Sequence, residues 1–342
     1  MKFTTNTIGI WVAAALAIMA GTSYGAPAIV SVTQNGGSLT VQGSGFGNHA
    51  NYGQGQPFLS RAWNDFSSGS VDGGNLARDG TPDAAANWSI QSAGARPNHA
   101  FWLRRGAVSS RLGWYGVGPT SGQHQWFTSF WFKYHNTAST DGGKFWRIWE
   151  NNNNNIWLAT GGGDTSVRGA FENPGADTVF GSPNSFGENT WHRVDIWMND
   201  GTIGGAKEFT VYMDNIQQWT KPTWGDTPFD WGGGWEIGQM IEVSGNYYGF
   251  SDVYYDHTRA RVEIGNAPTW SSSTIREIQI PKSWSDTGIS AQLNKGALSN
   301  GANAYVFVVD ESGNVSNGYP ITIGTPSASP SAVAPPQNLH VL

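Results

Sequence analysis

Cysteine is absent from the sequence, which excludes disulfide staples, thiolate metal sites and thiol nucleophiles together. Charge is scarce as well, at 13% of residues, and its balance of 19 Lys and Arg against 25 Asp and Glu leaves a net charge of −6. That sign argues against a chain that grips a polyanion through clustered cations, so no nucleic-acid partner is expected. Long hydrophobic runs are missing too. The longest, residues 8–20, falls short of the roughly 20 apolar residues of a membrane-spanning helix. Helical periodicity is nearly absent, which removes the α-rich classes.

What the N-terminus offers instead is an export signal: Lys2, the apolar run 8–20, then the small-residue stretch ending Ser23-Tyr24-Gly25. This pattern predicts a signal peptide over residues 1–25 and a secreted, extracellular or periplasmic, product beginning at Ala26. The rest is long enough for one large and one small domain.

Short alternating segments bounded by Gly, Asn, Asp and Pro recur throughout, and they predict an all-β sandwich or jelly roll. The clearest are residues 38–42, 126–135, 144–150, 191–198, 208–213, 252–255 and 304–309. The chain also holds 18 Trp and 46 Gly. Part of that Trp must be core, since each aromatic buries roughly 150–250 Å². A surplus in an exported chain also suits sugar binding, because a pyranose presents an apolar face to an indole and a rim of hydroxyls to polar groups.

Two groups of motifs carry resemblances. Pro27 to Val32, then Ser38-Leu39-Thr40-Val41-Gln42-Gly43-Ser44-Gly45-Phe46-Gly47, resemble the opening of an IPT/TIG domain, an immunoglobulin-like fold. Its continuation is matched only near the C-terminus, in Arg261 to Pro268, Trp284 to Ser290 and Ala304 to Asn317. The implied organisation is a split immunoglobulin-like module, 26–54 and 258–324, around an insert, 55–257, with a Pro/Ser/Ala-rich tail, 325–342, of linker composition. Within the insert, Thr190-Trp191-His192-Arg193-Val194, Phe209 to Asn215, Trp235-Glu236-Ile237-Gly238 and Gly249 to Asp256 are similar, in that order, to strands of the concanavalin A-like, laminin G-like lectin and glucanase group. That resemblance implies a jelly roll that lays a glycan along its concave sheet.

Strand alternation divides the residues into two faces. Val194, Ile196 and Met198, Phe130, Phe132 and Tyr134, Phe209, Val211 and Met213, and Trp146 with Ile148 are expected inside. The other face collects Trp131, Lys133 and His135, Phe145, Arg147 and Trp149, Arg193, Asp195 and Trp197, Thr210 and Tyr212. If these strands neighbour one another in one sheet, the second set forms a groove of stacking and hydrogen-bonding side chains. Trp131, Lys133, Trp149, Asp195 and Trp197 are then the ligand-binding candidates, with a polysaccharide or cell-surface glycan as partner.

Whether the groove is catalytic is open at this level. Paired carboxylates at hydrolase spacing are not evident. A polysaccharide lyase needs a cation at the uronate carboxylate and a base for the C5 proton, and Arg147, Arg193, His135 and Tyr212 are the candidates for such roles. A purely structural surface component is the third reading. No cofactor is indicated beyond Ca²⁺, for which Asp252 and Asp256, or Asp65, offer oxygen ligands.

Overall fold

The computed structural model describes residues 25–49, 62–72, 77–78, 87–106, 115–117, 124–135, 143–149, 155–160, 166–172, 178–185, 187–201, 205–221, 234–239 and 245–324. The expected signal peptide, but for its last residue, and the C-terminal tail lie outside these residues.

The chain opens with the hairpin β1 (Ala28–Asn35) and β2 (Ser38–Ser44), closed by Gly36 at a φ of +56°, a turn conformation that favours glycine. Strands β3 (Ala62–Asn64), β4 (Ala77–Arg78), β5 (Trp88–Gln91), β6 (Trp102–Gly106), β7 (Tyr115–Val117), β8 (Gln125–His135) and β9 (Lys144–Trp149) follow. Then come β10 (Asn155–Thr160), β11 (Ser166–Glu172), β12 (Thr178–Ser185), β13 (His192–Asn199), β14 (Glu208–Met213), β15 (Ile216–Lys221), β16 (Gly234–Gln239) and β17 (Tyr247–Asp256). The last five are β18 (Arg261–Gly265), β19 (Arg276–Trp284), β20 (Gly288–Gln292), β21 (Asn303–Val309) and β22 (Tyr319–Thr322). The protein is all-β, as its alternating segments predict.

Among the described residues these strands form three sheets. The terminal strands share one, ordered β1-β2-β20-β19-β18-β21-β22, in which β2 pairs with β20 from Ser38↔Gln292 to Gln42↔Gly288. This sheet curls until its edges meet: Gln34 donates to the Thr322 carbonyl at 2.8 Å and accepts from the Gly324 amide at 3.2 Å. Val41, Val262, Ile264, Val306 and Val308 fill the enclosed core.

The strands between form two stacked antiparallel sheets. One runs β12-β11-β10-β9-β16-β7-β4, the other β15-β14-β13-β8-β17-β6-β5, with β3 beside β17. Their shared core is aromatic, with Trp88, Trp126, Phe130, Phe132, Phe145, Trp146, Trp235 and Tyr255 among its members. Burying indoles wholesale leaves the ring N–H of Trp88, Trp126, Trp146 and Trp235 without an acceptor among the described residues, a cost the sandwich bears for aromatic surface.

Two bulges reset the alternation. In β9 the register slips opposite Leu158 and Ala159, so Phe145 and Trp146 both enter the core and Phe145 stacks on Phe132 at 4.4 Å. The expectation that Phe145 faces outward is corrected here, because one inserted residue breaks the period of two. In β17 the slip falls between Ser251 and Tyr254, where Asp252 takes a φ of +49°. Phe250 and Tyr248 precede the bulge in the core; beyond it Val253 and Tyr255 take over the core positions, while Tyr254 turns to the opposite face.

Candidate functional site

The sheet containing β8 does not present an open outer face. Phe127 of β8, Trp197 of β13 and Tyr254 of β17 pack there against Ile278 and Ile280 of β19, so the terminal module is seated on it. Strand parity places Trp131, Lys133, His135, Arg193, Asp195, Trp197 and Tyr212 on this face correctly. What covers much of it is protein.

Arg193 shows the consequence. Its guanidinium donates to Glu263 Oε2 at 2.7 Å and Oε1 at 3.0 Å, to Asp195 Oδ1 at 2.9 Å and to the Arg276 carbonyl at 2.7 Å. Arg261 and Arg276 reach the same glutamate from the terminal module, at 2.6 and 3.3 Å. Burial alone would raise the Glu263 carboxyl, but Arg193, then Arg261 and Arg276, hold it well below the usual carboxylate range. A residue expected to meet substrate is therefore a buried tie between modules.

Two further ties flank it. Arg96 pairs with Asp252 and with Glu277 of β19, while its guanidinium lies 3.7 Å from the ring centre of Trp131. His99 approaches Asp252 at 2.8 Å, and His49 meets Asp256 at 2.9 Å. The two aspartates expected to offer oxygens to Ca²⁺ are thus taken by Arg96, His99 and His49, since a buried carboxylate must be paired. Asp65 instead accepts from the Ser67 amide at 2.9 Å. Among the described residues no group of three or more His, Cys, Asp or Glu is arranged to hold a metal ion.

The remaining candidates scatter. Lys133 lies between Trp102, at 3.7 Å, and Trp191, at 4.6 Å, and donates to the Gly94 carbonyl at 2.8 Å. Burial lowers its ammonium pKa to about 8. Its stem rests on Gly249, where a Cβ would stand 2.8 Å from both Lys133 Cγ and Trp102 Cζ3. Gly249→Ala should accordingly cost about 1–3 kcal/mol through overpacking, read as a lower urea midpoint with an unchanged m-value. His135 sits against Glu188 at 3.0 Å, six residues along β8 from Ser129, the partner of Asp195. At about 3.3 Å per residue that is roughly 20 Å from the Tyr212 row.

Arg147 and Trp149 belong to the other sheet. Arg147 stands in register between Trp157 of β10 and Glu236 of β16, with the Lys144 ammonium 4.6 Å from the Trp157 ring. The candidate lyase set of Arg147, Arg193, His135 and Tyr212 is therefore not assembled, because alternation assigns faces and leaves sheet membership undetermined.

Three candidates do converge, on a cleft where the modules meet. Asp195, Trp197 and Tyr212 line it with Phe127, Glu208 and Asn215 from the insert and Arg259, Arg261, Trp270 and Arg276 from the terminal part of the chain, around a volume of about 140 Å³. Trp197, held by an indole N–H bond to Glu208 at 3.1 Å, forms the wall, and half-buried Trp270 forms the rim. Arg276 lies 3.8 Å from the Trp270 ring centre, and Arg261 lies 4.3 Å from that of Phe127. Burial, then the neighbouring Glu208 carboxylate, raises the Tyr212 hydroxyl, so it stays a neutral donor.

No family model matches the chain, and no curated protein matches it. Among solved structures, the cellulose-induced protein Cip1 shares 11% identity at a TM-score of 0.44, over 58% of this chain and 97% of that one. Domain 4 of AbnA, a GH43 extracellular arabinanase from Geobacillus stearothermophilus in complex with arabinotriose, shares 11% at 0.41, over 57% and 90%. The carbohydrate-binding module CBM66 from Bacillus subtilis shares 12% at 0.33, over 50% and 95%. No residue of this chain takes a role from them.

Phe127, Trp270, Arg259, Arg261, Glu263, Arg276, Asn215 and Glu208 escaped the sequence reading. A signal for some of them exists: in Arg261-Val262-Glu263-Ile264 the apolar residues enter the terminal core and the charged ones leave it together. That strand carries Arg and Glu two residues apart, and β13 carries Arg193 and Asp195 in the same spacing, so the two faces are complementary.

Proposed function

We propose that the protein is an exported glycan-binding protein whose site is the cleft between its modules, one module IPT/TIG-like and the other a concanavalin A-like jelly roll. The observation that carries this reading is the composition of the cleft. The aromatic surfaces of Trp197, Trp270 and Phe127 stand beside the donors of Tyr212, Arg261 and Arg276 and the acceptor of Asn215. A sugar ring needs that combination of an apolar platform and directional polar partners. At about 140 Å³ the cleft is close in volume to the ~150 Å³ engineered cavity that takes in one benzene ring, the scale of one ring. It suits a chain end or a single side residue of a polysaccharide.

Affinity electrophoresis through gels cast with polysaccharides tests the reading. The chain should be retarded by at least one of them, and Trp270→Ala should weaken binding tenfold or more, equivalent to about 1.4 kcal/mol. Trp157→Ala, on the other sheet, should leave retardation unchanged. Retardation abolished by Trp157→Ala and untouched by Trp270→Ala would move the site to the Lys144, Arg147, Trp157 and Glu236 face and sink the cleft.

A further inference from the structure

The charges around the cleft are unevenly placed. Arg193, Arg261 and Arg276 converge on Glu263, with Asp195 as the one further acid, so three cations face two anions. Arg259, at the opposite end, lies near Glu208 and feels both that carboxylate and Asp310. The surplus positive charge therefore sits at the Trp270 end. There Arg261 spends Nε on Glu263 and Nη1 on the Arg259 carbonyl, and Arg276 spends Nε on Glu263 and Nη1 on the Trp270 carbonyl. The Nη2 group of each has no acceptor among the described residues.

Asn215 supplies the complementary defect. Its amide nitrogen donates to the Ser273 carbonyl at 3.1 Å and the Thr274 carbonyl at 3.4 Å, which fixes the orientation of the amide. Its Oδ1 is buried and has no donor among the described residues. A buried acceptor left unmatched costs about 1–3 kcal/mol, and a hydroxyl arriving in the cleft would recover it. One end of the cleft thus asks for an anion, and another point asks for an O–H.

We propose that the cleft selects an acidic sugar, seating its carboxylate or sulfate ester on Arg261 and Arg276 and a ring hydroxyl on Asn215. This rests on the glycan-binding reading above and names the ligand class for it. A neutral sugar would leave the surplus charge unanswered, whereas an acidic one answers it with charge-assisted hydrogen bonds from the Nη2 group that each guanidinium keeps free.

A glycan array carrying neutral, uronate-bearing and sulfated oligosaccharides, probed with the full chain, is the test, followed by titration calorimetry on the best uronate and its methyl ester. Binding should be confined to acidic sugars. The free acid should bind at least tenfold tighter than the ester, with the gap narrowing in 0.5 M salt, about five times the ionic strength at which the Debye length is ~10 Å. The sulfated arm separates sulfate from carboxylate as the anion. Arg261→Met should close the gap between acid and ester, and since that comparison is first made on the unaltered chain, it stands even where the variant fails to fold. Equal affinity for acid and ester, or binding confined to neutral sugars, would overturn the acidic-ligand proposal and leave glycan binding intact. No binding to any sugar would overturn both.

Discussion

Glu263→Ala should lower the stability of the protein by about 3–5 kcal/mol, the cost of leaving buried charge uncompensated. Glu263 is fully enclosed and accepts from Arg193, Arg261 and Arg276, so its removal leaves three guanidiniums with Asp195 as the one remaining acid. The intact network is not thereby a large net source of stability, because each charge was desolvated to build it. Its loss is expensive because the remaining partners cannot return to water without opening the junction. For a chain of this size, with a Tm shift of about 2–4 °C per kcal/mol, calorimetry should find the transition roughly 10 °C lower. Adding Arg193→Met to Glu263→Ala should recover part of the deficit, giving a coupling of about 0.5–3 kcal/mol in a double-mutant cycle. A loss below 1 kcal/mol with strictly additive variants would show that water reaches the network and that the modules are not joined through it.

That expectation comes from a residue whose sequence context pointed elsewhere. Alternation in β8, β13 and β14 was legible because it is local: each side chain's face follows from its own strand, and Phe130, Phe132, Val194, Ile196 and Val211 lie inside as read. The error entered with sheet membership, which depends on pairings between residues far apart in sequence. Arg147 and Arg193 obey the same parity yet stand on different sheets. Parity also says that a side chain leaves one core without saying what it meets next. Arg193, Asp195 and Trp197 leave the sandwich interior for the surface of a second module, so a polar and aromatic face that reads as a groove is largely an interface. The bulge at Asp252 was illegible for another reason: its +49° φ is tolerated by Asp but announced by no glycine. Asp195, Trp197 and Tyr212 remain in the candidate site because they lie where the interface stops short of closing.

The junction should also be sensitive to acid, and His257 sets the window. Burial lowers its pKa to about 4, against the pull of Asp256, and nearby His49 lowers it further. A histidine kept neutral by the fold contributes its stability above the unfolded value of about 6.5 and loses it as pH falls toward the folded value. At about 1.36 kcal/mol per pH unit across that window, the loss approaches roughly 3 kcal/mol by pH 4. Asp256, depressed chiefly by His49 against its own burial, adds to the loss once the pH falls further. His99 and Glu277 act in the opposite sense. The His99 pKa is raised by Asp252 against burial and that of Glu277 by burial itself, so their favourable contributions are present at low pH and fade as pH rises. They moderate the fall without reversing it, because His99 remains paired with Asp252 while His257 packs its ring against Tyr255 at 5.2 Å and Trp126 at 6.2 Å. Urea midpoints measured from pH 7 to 4.5 should therefore decline for the parent chain and decline less for His257→Phe, which keeps a ring in place and has no proton to gain. Parallel declines in the two proteins would transfer the acid sensitivity from His257 to the carboxylates that tie the modules together.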